Sequence, residues 1–173
     1  AVKGFTVHLA DVDLAAAEKG KAGIAKRLSR EVSKGRMSQE EVDATLSRLT
    51  PVDGIAGLSS VDFVVEAVTE HEPLKLKLFK QLDEVCPAHA ILASNTSSIP
   101  IGGLDKKLEL GGKIVGYHFY NPPAVQKLLE LITHDGTKQE IKEGGEELAK
   151  RLGKKVFPAN DIAGFIGNGH FMR

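Results

Sequence analysis

Asp62-Phe-Val-Val-Glu-Ala-Val68 is the stretch that decides the fold class of this chain. β-Branched side chains run through it almost without interruption, which is typical of a buried strand in a parallel sheet. Leu74, Leu78 and Leu82 then recur at helical spacing, and the helix that they predict ends before Pro87. A second apolar stretch follows, so this part of the chain predicts two parallel strands joined by a helix.

The alternation of strands and helices continues upstream of this segment. Residues 5–10 form an apolar strand, residues 14–33 are rich in helix formers, and Ser38-Gln-Glu-Glu41 is a capping box that starts a second helix. Pro51 ends the second helix, and the glycine-containing segment after it is predicted to be a connection. The upstream part therefore predicts one strand and two helices.

Downstream, apolar stretches predict further strands at residues 90–94, 113–119, 127–132 and 154–157. Thr137-Lys-Gln-Glu140 is a second capping box, which starts a long amphipathic helix. Gly164-Phe-Ile-Gly-Asn168 is predicted to open one more helix. The sequence therefore predicts an α/β fold with a mostly parallel sheet and helices on both of its faces.

The composition is that of an ordinary globular domain, and it excludes several kinds of partner. Hydrophobic residues make up 42% and charged residues 27% of the 173 positions, and 23 basic residues balance 23 acidic ones. Without a basic excess, neither a nucleic-acid nor a membrane partner is predicted. Cys86 is the one cysteine, so no intrachain disulfide can form and a reducing compartment is expected. No metal site is predicted.

Polar side chains follow the predicted strands, at the sheet edge where ligands collect in parallel α/β folds. Asp11 follows the first strand and is either the N-cap of the next helix or the acceptor of a ribose 2′-hydroxyl. Ser94-Asn-Thr-Ser-Ser98 follows a later strand and is either a Ser/Thr turn or a set of donors for a substrate oxygen.

His118 lies between apolar neighbours in Gly116-Tyr-His-Phe-Tyr-Asn-Pro-Pro123, and Glu130 follows it within Leu128-Leu-Glu-Leu-Ile132. A carboxylate at the second nitrogen of a histidine fixes the tautomer and stabilises the protonated ring, as proton abstraction from an alcohol requires. The alternatives are a histidine buried for packing and a glutamate that reaches solvent.

Five segments in this order resemble the NAD-binding domain of the L-3-hydroxyacyl-CoA dehydrogenases of fatty-acid β-oxidation. They are Asp62-Phe-Val-Val-Glu-Ala-Val-Thr-Glu70, Ala93-Ser-Asn-Thr-Ser-Ser-Ile99, His118-Phe-Tyr-Asn-Pro122, Leu129-Glu-Leu-Ile132 and Gly164-Phe-Ile-Gly-Asn168. The resemblance implies a Rossmann-like domain, NAD as the cofactor, and the oxidation of L-3-hydroxyacyl-CoA to 3-ketoacyl-CoA. Lys34-Gly-Arg-Met-Ser38 is more similar to the multifunctional members of the family.

The resemblance also implies roles for individual residues. His118 would take the proton from the substrate 3-hydroxyl, and Glu130 would orient and polarise the imidazole. Ser97 and Asn121 would hydrogen-bond the reacting oxygen or the histidine, and Asn168 would contact the thioester side of the substrate.

Further residues would bind the cofactor and the CoA phosphates. The implied cofactor contacts are Asp11 at the adenosine ribose, Glu70 and Lys75 near the nicotinamide ribose, and Asn95. Arg27 and Lys34, on the predicted upstream helix, would contact the CoA phosphates, although basic residues on an exposed helix more often form a solvated face.

The chain departs from the family's pattern at both ends. It contains no Gly-x-Gly-x-x-Gly turn, so we expect residues 1–173 to be a partial NAD-binding domain that lacks its first strand and helix. The resemblance also implies a helical domain that closes over the acyl chain and mediates dimerisation, and we expect residues 1–173 to lack it. We therefore expect a truncated domain that does not turn over alone, and whose exposed sheet edges favour homo-oligomers. Within the resemblance, Tyr120 replaces the second phenylalanine of the family.

Two other functions stay open at this point. One is a hydroxyacid dehydrogenase of similar fold, in which the same His–Glu pair serves a substrate without CoA. The other is a binding remnant that kept the scaffold and lost catalysis, which the missing glycine turn favours. For the family function, the expected location is the cytoplasm of a bacterium, or mitochondria or peroxisomes in a eukaryote.

Overall fold

The computed structural model describes residues 1–166, and the chain divides into two compact units, of which the second begins at Asp62. The first unit contains β1 (Val7–Ala10), α1 (Leu14–Ser33), α2 (Gln39–Ser47), β2 (Leu49–Val52) and a short 3-10 helix, Ile55–Leu58. Strands β1 and β2 pair in parallel. None of the helices within residues 1–166 is both long and apolar enough to cross a membrane.

The predicted capping box of α2 is confirmed, but the prediction for the segment after it is wrong. Ser38 accepts a hydrogen bond from the Glu41 backbone and Glu41 accepts one from the Ser38 backbone, as the capping-box pattern requires. β2 (Leu49–Val52) occupies the predicted end of that helix and the first residue of the predicted connection, and its Pro51 lies opposite Leu9. A proline is tolerated there because β2 pairs with β1 alone among the described strands, and its other edge needs no N–H donor.

The second unit is a five-stranded sheet with three helices. Its elements are β3 (Phe63–Glu66), α3 (Glu72–Val85), β4 (Ile91–Ser94), α4 (Ile101–Leu108), β5 (Ile114–Phe119), β6 (Leu128–Thr133), α5 (Gln139–Arg151) and β7 (Lys155–Asn160). The strands lie in the order β3-β4-β5-β6-β7, and only the β5–β6 pair is antiparallel. The prediction of a mostly parallel sheet is therefore confirmed.

Helices cover both faces of this sheet. One face buries Tyr117 and Leu131 in the apolar core against α5. On the other face, α4 packs on Gly116, where an added Cβ would lie 2.8 Å from the Ile132 side chain and 3.1 Å from Ile101. The missing side chain thus lets α4 approach the sheet, and this second face carries His118 and Glu130 because strand residues two apart share a face.

Three features of the second unit differ from the sequence prediction. Helix α4 was not predicted, because Gly102 and Gly103 are poor helix formers and its N-terminus is capped from a distant part of the chain by Asp161. The predicted capping box at Thr137 is wrong. The Thr137 hydroxyl accepts a hydrogen bond from the His134 backbone, and Lys138 is the N-cap of α5. Of the segment predicted as a last helix, Gly164–Ile166 form a turn and the rest lies outside the described residues.

Candidate active site

His118 and Glu130 are direct partners across the antiparallel β5–β6 pair. The distance from His118 Nδ1 to Glu130 Oε2 is 2.5 Å, and the two residues are 7% and 1% exposed. The second carboxylate oxygen, Oε1, accepts a hydrogen bond of 2.9 Å from the Ile166 backbone N–H. A buried carboxylate that is satisfied in this way holds the imidazole in one orientation.

Ser97 lies on the other side of the imidazole. Its Oγ is 3.2 Å from His118 Nε2. Because the carboxylate of Glu130 accepts at Nδ1, we assign the ring proton to Nδ1, and the Ser97 hydroxyl then donates to the lone pair of Nε2. The nitrogen that faces Ser97 is therefore a proton acceptor.

Glu70 fixes the loop that carries Ser97. Its Oε1 accepts hydrogen bonds from Ser97 N at 2.9 Å, from Ser98 N at 3.1 Å, from Ser98 Oγ at 2.9 Å and from Thr96 Oγ1 at 2.5 Å. Burial raises the pKa of Glu70, but the bonds from Thr96, Ser98 and Ser97, together with the charge of Lys75, outweigh burial and lower it. One carboxylate oxygen thus organises the whole turn.

A buried ion pair lies beneath this loop. Lys75 Nζ is 2.7 Å from Glu66 Oε1 and 3.6 Å from Glu70 Oε2, and the side chains of Lys75 and Glu66 are 1% and 3% exposed. Glu66 Oε2 also accepts a bond of 2.6 Å from Ser94 Oγ at the end of β4. No role was predicted for Glu66, although a glutamate within an apolar strand is a signal of a paired buried charge.

Two of the three predicted asparagines lie at strand ends but differ in their contacts. Asn95 Oδ1 accepts a hydrogen bond of 2.9 Å from Phe119 N, so its amide oxygen ties the end of β4 to the end of β5. Asn121 is exposed just after β5, and no hydrogen bond within residues 1–166 joins it to His118. Asn168 lies outside the described residues.

The remaining predicted residues belong to the first unit. Asp11 is exposed after β1, and its Oδ1 accepts from Val12 N at 2.8 Å. The N-cap of α1 is Asp13, which accepts from Ala16 N, so the alternative interpretation of Asp11 as that cap is wrong. Arg27 is exposed on α1, and Lys34 is exposed at the C-cap of the same helix. Lys34 Nζ is 3.9 Å from Glu31 Oε1.

Aromatic side chains surround the imidazole. The ring centroid of His118 is 5.4 Å from that of Tyr120 and 5.8 Å from that of Phe165, a buried residue in the turn after β7. No role was predicted for Phe165. Its contact with His118 joins residues far apart in the chain, so no local sequence pattern indicates that contact.

Comparisons with known proteins match most of the chain to one family. The family described as "3-hydroxyacyl-CoA dehydrogenase, NAD binding domain" matches residues 1–162. A probable 3-hydroxybutyryl-CoA dehydrogenase of Bacillus subtilis is 37% identical over 165 residues, which are 95% of this chain and 58% of that protein. The human mitochondrial hydroxyacyl-coenzyme A dehydrogenase is 37% identical over 175 residues, covering 97% of this chain and 55% of its own length.

A solved structure has the same fold. The crystal structure of (S)-3-hydroxybutyryl-CoA dehydrogenase from Ralstonia eutropha superposes with a TM-score of 0.91 at 34% identity, covering 95% of this chain and 58% of that one. The chain thus spans somewhat more than half the length of these relatives. With a family match over residues 1–162, the chain belongs to the 3-hydroxyacyl-CoA dehydrogenases and corresponds to their NAD-binding domain.

Proposed function

We propose that the protein oxidises the 3-hydroxyl group of L-3-hydroxyacyl-CoA to a ketone with NAD as the hydride acceptor. The observation that carries this proposal is the position of His118, held at Nδ1 by Glu130 at 2.5 Å and faced at Nε2 by Ser97 at 3.2 Å. Relatives named as 3-hydroxybutyryl-CoA and hydroxyacyl-coenzyme A dehydrogenases support acyl-CoA as the substrate class.

The chain's residues would move one proton. When bound, NAD would supply the hydride acceptor for C3 of the substrate. Nε2 of His118 receives the proton of the 3-hydroxyl as the C3–H bond breaks, which leaves C3 doubly bonded to oxygen. Glu130 stabilises the resulting imidazolium, because its carboxylate contacts the protonated Nδ1. The Ser97 hydroxyl, which contacts Nε2 in this structure, would turn to donate to the substrate oxygen.

The donor and acceptor groups of this chain suit the ribose ends of NAD. Asp11 and Glu70 each present a carboxylate after a strand, and carboxylate oxygens accept hydrogen bonds from ribose hydroxyls. Lys75 adds a positive charge beside Glu70. The sequence has no Gly-x-Gly-x-x-Gly turn to hold the pyrophosphate, so the proposed cofactor contacts concern the ribose groups only.

The other parts of this proposal concern the whole protein. Asn121 and Asn168 are proposed for the substrate, Asn95 for the cofactor side, and Arg27 and Lys34 for the CoA phosphates. The proposed location is the cytoplasm for a bacterial source, or mitochondria or peroxisomes for a eukaryotic one; one relative is bacterial and another is named as mitochondrial. Assembly into homo-oligomers is proposed as well, because edge strands offer unpaired backbone groups.

The decisive experiment measures NADH formation from L-3-hydroxybutyryl-CoA by the natural full-length protein, with the 173-residue chain assayed beside it. We expect His118→Gln and Glu130→Gln to lower kcat by about 10²- to 10⁴-fold, the usual contribution of general acid–base catalysis. Glu147→Gln, an exposed change on α5, is the matched control and should leave kcat unchanged.

Three outcomes would contradict the proposal. Unchanged kcat in both site variants would remove the proton-transfer role of the pair. Equal turnover of free 3-hydroxy acids and CoA thioesters would favour the hydroxyacid dehydrogenase. Binding of NAD by calorimetry without turnover in the natural protein would favour the binding remnant.

A further inference from the structure

We propose that Phe165 is a positioning residue, which holds the imidazole of His118 against Glu130 and keeps water away from the hydrogen bond between them. This role deepens the proposed function and rests on it, since it concerns the base of the same reaction. The resemblance gives no role to this side chain, and the family match ends before it, at residue 162.

The ring of Phe165 packs on the imidazole. The two ring centroids are 5.8 Å apart and the ring planes are inclined at 54°, which is a direct aromatic contact. Phe165 is 1% exposed, whereas Ile162 and Ile166 in the same turn are 56% and 54% exposed. Of these three apolar side chains, the buried one is therefore the one in contact with His118.

The backbone at Phe165 has a conformation that L-amino acids rarely adopt. Its φ is +50°, in the left-handed region, where the Cβ crowds the backbone carbonyl. Contacts on both sides fix this conformation, since Phe165 N donates to Ile162 O at 3.0 Å and Ile166 N donates to Glu130 Oε1 at 2.9 Å. Strain of this kind is typical of functional positions. The turn thus directs the Phe165 ring to His118 and the next N–H to Glu130.

The beginning of the turn is fixed to helix α4. The carboxylate of Asp161 accepts hydrogen bonds from Ile101 N at 2.6 Å and from Gly102 N at 2.7 Å. Helix α4 packs on the face of the sheet that carries His118. The turn is therefore held at Asp161 by this helix and at Ile166 by the carboxylate of Glu130, and Phe165 lies between these two attachments.

The ring keeps the His–Glu pair dry and in register. His118 and Glu130 are 7% and 1% exposed, and a hydrogen bond is stronger in such surroundings than in water. Without the ring, a space would open beside the imidazole, and the polar groups of the pair would draw water into it. His118 would then occupy its reactive orientation for less of the time. The rate of proton transfer would fall, while the binding of NAD and substrate would stay the same.

The test uses Phe165→Ala, which removes the ring, and Phe165→Leu, which keeps an apolar side chain. NMR of the natural full-length protein, without cofactor or substrate, detects the proton between His118 Nδ1 and Glu130. Such a proton resonates far downfield of the backbone amides and is visible only when its exchange with water is slow. His118→Gln identifies the resonance. We expect it to be present in the wild type, lost in Phe165→Ala, and retained with faster exchange in Phe165→Leu.

Kinetics with L-3-hydroxybutyryl-CoA and NAD give the second readout. We expect Phe165→Ala to lower kcat by about 10- to 100-fold, because displacement of a catalytic group slows the reaction. The KM for both substrates should stay unchanged, which separates positioning of the base from contact with the substrate. Phe165→Leu should recover most of the lost kcat.

Phe63→Ala is the matched control. The ring centroid of Phe63 is 5.3 Å from that of Tyr117, in the apolar core on the opposite face of the sheet. This variant also loses a phenyl ring, but it should retain the downfield resonance and kcat. Circular dichroism verifies that each variant is folded. If Phe165→Ala does not fold, Phe165→Leu decides, and an exchange rate equal to that of the wild type would overturn the inference.

Other results would also overturn it. They are an unchanged resonance in folded Phe165→Ala, the absence of the resonance from the wild type, and a raised KM for the acyl-CoA at unchanged kcat, which would make Phe165 a substrate contact. Absence of turnover in the wild type would instead contradict the proposed function. The NMR comparison needs no turnover, so it would still decide whether Phe165 holds the pair.

Discussion

The backbone N–H of Ser97 donates to Oε1 of Glu70 at 2.9 Å, so the residue that contacts His118 is fixed by a carboxylate from the end of another strand. The same oxygen accepts three more hydrogen bonds from Thr96 and Ser98. The position of the Ser97 hydroxyl therefore depends on one acceptor outside its own loop.

Glu70→Gln should loosen this loop, because a neutral amide oxygen is a weaker acceptor than a carboxylate and attracts Lys75 less. We expect faster hydrogen exchange at the Ser97 and Ser98 amides. We also expect kcat to fall by about tenfold, because small displacements of positioned groups slow the reaction. Glu72→Gln is the control, since Glu72 is bound to Lys107 on the surface. Equal exchange rates in wild type and Glu70→Gln would contradict this assignment.

The sequence was sufficient to predict most strands of the five-stranded sheet and to name His118 and Glu130 as a pair. Uninterrupted apolar stretches predicted β3, β4, β5 and β6 to within two residues, because buried parallel strands leave a strong local signal. His118 and Glu130 were paired by the resemblance and their chemistry. The register that places them opposite each other is set by the antiparallel turn between β5 and β6, which the pattern did not predict.

The contacts that orient the site could not be predicted in the same way. Glu70 and Ser97 are 27 positions apart, and Asp161 caps α4 from 60 positions away. Such bonds depend on tertiary packing and leave no periodic trace in the sequence. The same reason explains why Pro51 was interpreted as a helix end, although a pairing with β1 places it in a strand.

The loop should also loosen in acid. The pKa of Glu70 is lowered below its ordinary value of 4.5, so its hydrogen bonds are complete above that pH and are lost as the pH falls through the lowered value. We expect protection of the Ser97 and Ser98 amides to stay constant down to pH 4.5 and to decrease below it. In Glu70→Gln the protection should be low and independent of pH in this range. A wild-type transition above pH 4.5 would contradict the assignment to Glu70.

Breaking the buried Lys75–Glu66 pair should destabilise the fold strongly. Lys75→Met leaves Glu66 buried without its cation, and we expect a loss of about 3 to 5 kcal/mol in the free energy of unfolding, measured in urea. Adding Glu66→Gln removes the unpaired charge, so the double variant should be more stable than Lys75→Met alone.

Lys107→Met is the control for the loss of a lysine. Its pair with Glu72 is on the surface, where the two side chains are 56% and 38% exposed. We therefore expect a loss of less than about 1 kcal/mol in the free energy of unfolding. Lys75 and Glu66 are not coupled if the double variant loses as much free energy of unfolding as Lys75→Met and Glu66→Gln lose together.

The two tyrosines provide a direct measurement of the polar environment at the site. Burial raises the pKa of both Tyr117 and Tyr120 above the ordinary value of 10.0, and Glu130 raises that of Tyr120 further. Each neutral phenol is favoured in the folded state, so this contribution to stability is complete below pH 10 and is lost as the pH rises through the raised values. The phenolate absorbance of the native chain should therefore show no step at pH 10. In urea, where both rings are solvated, both should ionise near that pH. Tyr120→Phe and Tyr117→Phe assign the two steps. A native step at pH 10 that disappears in Tyr120→Phe would mean that this hydroxyl is in water and not in the cavity that it lines with Glu130.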